Sequence, residues 1–212
     1  MLTGLVDKVA AIVQAWYPGT EAGNALAELL YGERNFSGKL SMSFPHSVGQ
    51  IPVYYNEFST GRPLSVSGHS ERFVSKYLDA PNAPLFPFGY GLSYTDFKYG
   101  EARLSHPSLN FGDAIQVSVD VTNTGELSGD EIVQLYIRDV TGSVVRPVKE
   151  LKGFVKVNIE PGETTTVSFN INEELLRFYT IEMEYKAEPG KFIAMIGTSS
   201  DSFVEVEFNL LP

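Results

Sequence analysis

Hydrophobic and polar positions alternate most regularly in the second half of the chain. Gln116–Val121 alternates with the two-residue period of a half-buried strand and stops at Asn123-Thr124-Gly125. Ile132–Ile137 follows, then Leu151–Ile159, a Pro161-Gly162 turn, Thr164–Ile171, a Pro189-Gly190 turn, Phe192–Ile196 and Phe203–Leu210. Six or seven short strands separated by turn signals predict a β-sandwich over residues 101–212. Leu175–Tyr179 fits a turn of helix or a bend.

The first 35 residues carry a different rhythm. Ala10–Tyr17 is a short apolar run ending at Pro18-Gly19, which predicts a buried strand reaching a turn. Thr20 then serves as N-cap, and Glu21 places a carboxylate near the positive end of the helix dipole. Ala22, Leu26, Leu29 and Leu30 fall near one helical face, and Gly32 stands where a C-terminal glycine belongs. One strand–helix unit has too few neighbours to bury a parallel strand on both faces. Residues 33–100 show little helical or alternating periodicity, yet they are too aromatic for a flexible linker. Phe86, Phe88, Tyr90, Tyr94 and Phe97 interleave with Gly89 and Gly91 in FPFGYGLSYTDF. This pattern predicts an extended segment packed by its aromatic rings against another domain.

Composition narrows the chemistry. The 212 residues are 43% hydrophobic and 20% charged, ordinary globular usage that excludes a disordered tail, a collagen-like repeat and a coiled coil. No apolar run approaches the ~20 residues of a membrane-spanning helix. Sixteen Lys and Arg stand against 26 Asp and Glu, for a formal charge of -10. Residues 101–212 hold 9 of the basic and 18 of the acidic groups, and no basic cluster of the kind that neutralises phosphates occurs. Nucleic acid and anionic membranes are therefore not expected partners. Without cysteine there is no disulfide framework, thiolate metal site or thiol catalysis. The N-terminus shows no export signal.

Individual motifs add little chemistry. His46, His69 and His106 are widely spaced and read as ordinary histidines, not metal ligands. Gly19–Asn24 opens a helix as phosphate loops do, but lacks their glycine and lysine pattern. It reads as a tight turn in which Gly23 allows close packing. Gly68-His69-Ser70 lacks a nucleophile elbow, so it carries no Ser–His catalysis. No two of the 26 carboxylates are singled out by spacing as a glycosidase pair. Asn35-Phe36-Ser37 fits the N-glycosylation triplet by chance. No catalytic, cofactor-binding or metal-ligating residue is assigned, and these residues alone favour a binding or structural module.

Longer segments carry more. AWYPGTEAGNALAELLYGERNFSGKLSMSFPHSVGQIPVYYN (15–56), GRP (61–63), KYLDAPNAPLFPFGYGLSYTDF (76–97), VTNTGELSGDEIVQLYIRD (121–139), RPVKELKGF (146–154) and AEPGKFIAMIGTSS (187–200) resemble, in order, the C-terminal part of glycoside hydrolase family 3 β-glucosidases. The resemblance spans essentially the whole chain and is most similar to the periplasmic-type bacterial members. It implies a mainly β chain: residues 1–55 as the partial remnant of an α/β sandwich, 56–100 as an extended aromatic-rich connector, and 101–212 as a fibronectin type III-like β-sandwich.

The resemblance also implies retaining hydrolysis of terminal β-linked glucose without a cofactor. The nucleophilic Asp would lie in an upstream barrel and the acid/base Glu upstream of AWYPG, both before residue 1. No catalytic residue of the family maps onto this chain, which is expected to be inactive alone. A truncated or restarted reading frame beginning inside a domain fits Met1. Gly38 and Lys39 follow a turn. Phe44-Pro45 and Gln50-Ile51-Pro52 form extended packing segments, and Gly89 and Gly91 let the backbone turn between aromatics. Arg62, Arg72 and Tyr77 are placed either near the sugar site of a complete enzyme or at a surface or interdomain contact. The expected partners are the missing upstream domains, a β-glucoside only in the complete enzyme, and a homo-oligomer contact alongside interdomain support. Two rivals stay open: an independent carbohydrate- or protein-binding sandwich, and one subunit of a split glycosidase whose open strand edge docks the other part.

Overall fold

In the computed structural model, residues 1–64 and 72–212 are described. A β-sandwich occupies the second half. Its first sheet is built on β4 (Ala114–Asn123), which pairs antiparallel along one edge with β1 (Phe97–Tyr99) and β2 (Arg103–Leu104). Its other edge pairs with β7 (Thr164–Asn172), in a register that sets Val119 opposite Val167 and Val117 opposite Phe169. The second sheet orders β3 (Ser108–Leu109), β11 (Ser202–Leu210), β10 (Gly190–Ser199), β5 (Gly129–Asp139) and β6 (Glu150–Ile159). All its pairs are antiparallel except β3 with β11. A helical turn α2 (Glu173–Leu176), capped by the Asn172 side chain, leads into a hairpin of β8 (Phe178–Tyr179) and β9 (Tyr185–Lys186).

The six long strands fall where the alternation places them, because a two-residue period with one apolar face is only stable with that face buried. Val117, Val119 and Val121 of β4 meet Val133, Leu135 and Ile137 of β5, with Phe192, Ala194 and Ile196 of β10 and Phe208 and Leu210 of β11. Each such side chain removed from water contributes roughly 1.5–3 kcal/mol before conformational entropy is counted. The short strands β1, β2, β3, β8 and β9 are too brief for a periodic signal and were not predicted.

β5 is buried on both faces. Gln134 and Tyr136 point away from the sandwich core yet are 3% and 0% exposed. The aromatic segment covers them, so its partner is the sandwich's own five-stranded sheet. Tyr55 and Phe88 stack with ring centroids 4.2 Å apart, and both set an edge against Tyr136. Phe86 stacks on Tyr90 and meets Phe44 edge to face. Backbone pairing runs alongside: Leu40 N donates to Tyr90 O, Gly89 N to Leu40 O, and Phe44 N to Phe86 O.

Several N-terminal expectations need correction. Ala10–Tyr17 is not a buried strand: most of it is exposed, and no neighbouring strand among the described residues takes up its backbone hydrogen bonds. Helix α1 (Ala22–Leu30) exists, but its N-cap is Glu21, not Thr20, with no side-chain cap, and it buries none of its residues. A Cβ at Gly23 would meet nothing within 4 Å, so close packing is not its reason there. Gly32 ends the helix at φ +79°, as expected of a C-terminal glycine. Gln50 closes a 3-10 turn, Val48–Gln50, where an extended segment was expected.

Candidate functional site

The connector is tied to the sandwich near its start. Phe58 bridges Pro147, Val148 N donates to Glu57 O at 2.8 Å, and Leu151 N donates to the Tyr55 hydroxyl at 3.2 Å. Further along, Gln50 is 2% exposed and donates through Nε2 to the carbonyls of Pro81 and Ala83. It also accepts from His46 N. Burying an amide is tolerable only with such partners, so Gln50 fixes the position of residues 81–83.

Between these anchors, described residues on either side of positions 65–71 are joined. Pro63 bridges Ser75, Ser75 N donates to Arg62 O at 2.9 Å, and Asn82 Nδ2 donates to Ser75 O at 2.8 Å. Tyr77 N donates to Asn82 Oδ1. Beside this junction the guanidinium carbons of Arg62 and Arg72 lie 5.7 and 5.4 Å from the centroid of the Phe73 ring. Phe73 is nonetheless 68% exposed, and Tyr77 and Leu78 beside it are exposed as well. Cation–π attraction holds such guanidiniums near the ring. The result is an apolar ring flanked by planar arrays of N–H donors, open to solvent. That combination recognises ligands that present a C–H face and hydroxyl acceptors together.

Of the sequence candidates, Arg62 and Arg72 are brought together by Phe73, a residue the sequence reading passed over; Tyr77 shares their loop. An aromatic between two arginines eleven and one residues away carries no helical or strand period, so only the fold exposes the relationship. His69 and Gly68-His69-Ser70 lie outside the described residues. His46 uses its backbone, accepting from Thr3 and donating to Gln50, while exposed His106 lies 3.3 Å from Ser105 Oγ. Asn35 is committed to packing: Nδ2 donates to Ser128 O, and Oδ1 accepts from Ser93 Oγ and Tyr94 N. A glycan on it would break these contacts. Gly19–Asn24 opens the exposed helix α1. Among the described residues no group of three or more His, Asp or Glu gathers as a metal site.

Titratable groups at the sandwich end of the connector are shifted by burial. Lys149 donates to Ser200 O and lies 5.0 Å from the Phe203 ring centroid. Desolvation pulls its pKa down, against the opposing pull of Asp201 and Glu57. Asp139 is pushed up by burial, opposed by the Arg146 guanidinium.

Sequence comparison gives two domain matches: residues 2–94 match the glycosyl hydrolase family 3 C-terminal domain, and residues 131–200 a fibronectin type III-like domain. A periplasmic beta-glucosidase of Salmonella typhimurium is 50% identical over 95% of this chain and 26% of its own length. A beta-xylosidase of Formosa agariphila is 43% identical over 92% of this chain and 26% of its own. The chain thus spans about a quarter of the length of these curated relatives. Among solved structures, a β-glucosidase of Listeria innocua in complex with glucose superposes with a TM-score of 0.94 at 45% identity, covering 100% of this chain and 29% of that one. A variant of the same enzyme is described in complex with laminaribiose, at a TM-score of 0.91. The aromatic segment clamped on the sandwich and the paired domain matches lead to one assignment: the chain carries the C-terminal domain of glycosyl hydrolase family 3 together with a fibronectin type III-like domain.

Proposed function

We propose that this chain forms the C-terminal structural part of a retaining β-glucosidase and lends that enzyme a surface for the leaving-group sugar. Residues 1–55 would belong to the α/β sandwich, 56–100 to the connector and 101–212 to the fibronectin-like support. The two carboxylates of retaining hydrolysis, about 5–5.5 Å apart across the scissile bond, would come from upstream domains. The observation that carries the leaving-group role is the exposed Phe73 ring flanked by Arg62 and Arg72. A pyranose presents its C–H face to such a ring and its hydroxyl oxygens to the guanidinium donors. The sandwich supports this loop through the Phe58–Pro147 bridge and the Tyr55–Phe88 stack.

A chimera tests the reading. This chain replaces the matching C-terminal quarter of the Salmonella relative, and Arg62→Ala and Phe73→Ala are made in it. Both variants should raise KM for β-linked glucose disaccharides by about tenfold, a loss near 1.4 kcal/mol. An aryl glucoside, whose leaving group is not a sugar, should be affected less. Disaccharide KM values equal to the parent chimera would sink the leaving-group role.

A further inference from the structure

Asn82 is exposed, yet its side chain is spent on the backbone of the segment that follows Phe73. Its Oδ1 accepts from Tyr77 N at 3.0 Å, and its Nδ2 donates to Ser75 O at 2.8 Å. The two bonds demand an acceptor and a donor on one short side chain, which asparagine supplies and aspartate or leucine of the same length does not. Asn82 is itself held from both sides. Gln50, 2% exposed, donates through Nε2 to Pro81 O at 2.6 Å and to Ala83 O at 3.2 Å, the carbonyls before and after it. Breaking those bonds would strand a buried amide, so the backbone around Asn82 is fixed from the interior.

The path continues past Ser75. Ser75 N donates to Arg62 O at 2.9 Å, and Pro63 bridges Ser75. A polar relay therefore runs from Gln50 through Asn82 and Ser75 to Arg62. Phe73 lies two residues before Ser75, and its ring has the Arg62 guanidinium carbon 5.7 Å from its centroid. The ring is 68% exposed, so burial does little to hold it against Arg62. The backbone on which each side chain stands is what the relay fixes.

We propose that Asn82 is the positioning residue of the Arg62–Phe73 surface, setting the spacing of guanidinium and ring through Ser75. Its consequence for sugar selection rests on the leaving-group reading above. A pyranose gains from ring and guanidinium together when their separation is set before it arrives, since ordering them on binding subtracts from affinity. Losing Asn82 therefore weakens the hold on a sugar leaving group more than it slows the chemical step, which that reading assigns to upstream carboxylates.

Hydrogen exchange in the 212-residue chain, read by NMR, tests the relay with no sugar present. Asn82→Ala should speed exchange of the Tyr77 and Ser75 amides about tenfold, the scale of one net hydrogen bond. The amides of Val119 and Leu135 in the sandwich core should keep their protection, which separates a local loss from unfolding. Asn82→Asp retains the acceptor for Tyr77 N and lacks the donor for Ser75 O, so the Ser75 amide alone should speed up. Unchanged Ser75 exchange in both variants overturns the proposal. In the chimera above, Asn82→Ala should raise KM for β-linked glucose disaccharides about fivefold, with a smaller change in kcat. Combined with Arg62→Ala it should raise KM by less than the product of the single effects, because both act on one contact. A full product overturns the proposal, as does an Arg62→Ala effect without an Asn82→Ala effect. If Arg62→Ala and Phe73→Ala leave KM unchanged while Ser75 exchange quickens, the leaving-group reading falls and the positioning of Arg62 by Asn82 stands.

Discussion

Lys39 Nζ lies 3.1 Å from Glu131 Oε2, and that contact joins the family 3 C-terminal segment to β5 of the fibronectin-like sandwich. Glu131 is 1% exposed and its other oxygen accepts from the Tyr99 hydroxyl at 2.9 Å. Lys39 also donates to Gly91 O. Three stretches of chain thus converge on one buried carboxylate. Burial, then the negative charge of Glu131, drives the Tyr99 hydroxyl well above the ordinary tyrosine pKa.

Breaking this pair from one side leaves a charge without its partner, which costs roughly 3–5 kcal/mol when the site is buried. Lys39→Ala and Glu131→Gln should each lower the unfolding free energy on that scale. The double variant Lys39→Ala/Glu131→Gln should cost less than the sum, because no lone charge remains. Urea unfolding of the four proteins measures the cycle, and additive losses would contradict the pairing.

Gly89 and Gly112 separate two reasons for glycine. Both hold positive φ, +80° and +86°. A Cβ at Gly89 would stand 2.1 Å from Gln134 Oε1 and 3.0 Å from the Tyr136 hydroxyl, whereas at Gly112 it meets nothing within 4 Å. Gly112→Ala should therefore cost only the left-handed strain of about 1–2 kcal/mol. Gly89→Ala should cost clearly more, because Gln134 must give up its bonds to Gly89 O and Thr198 O. Thermal unfolding compares them, and equal losses would show that Gln134 moves aside freely.

Residues 97–212 expressed alone should unfold at lower urea than the whole chain. Without the preceding segment, Glu131 loses Lys39, Gln134 loses Gly89 O, and buried Asn123 loses the hydroxyl of Thr95. Tyr136 would lose its Tyr55 and Phe88 cover. A midpoint equal to that of the full chain would favour an independent sandwich module.

The sandwich was legible because its strands bury one face each, and alternation records that directly. β5 records the limit: Ile132–Ile137 reads as a strand, but the burial of Gln134 and Tyr136 depends on a segment about 45 residues away. The buried polar hubs were hidden for the same reason. Asn123 donates to Leu127 O and Ile159 O and accepts from Thr95 Oγ1 and Gly125 N, a full complement that the sequence shows only as a turn residue. The apolar run at Ala10–Tyr17 misled because composition predicts a strand's preference and not the neighbour it needs. Arg62 and Arg72 were visible as candidates; Phe73, which joins them, was not.

Asp120 gives a pH signature. Hydrogen bonds from Arg103 and Thr166 lower its carboxyl pKa from 3.8 to about 2. A depressed folded-state pKa means the contribution is present above 3.8 and lost as pH falls toward 2. Carboxyl NMR titration should place the Asp120 midpoint near 2, and Arg103→Gln should return it toward 3.8. An unchanged midpoint in that variant would assign the shift elsewhere.

The central claim is that this chain supports and shapes a glycosidase whose reacting carboxylates lie outside it. The direct measurement is hydrolysis of a chromogenic aryl β-glucoside by the purified 212-residue chain, alone and mixed with the upstream domains of a family 3 relative. The account predicts no turnover by the chain alone, and enhanced or stabilised turnover in the mixture. Turnover by the pure chain would contradict it, by placing a working carboxylate pair among residues assigned here to structure and sugar contact.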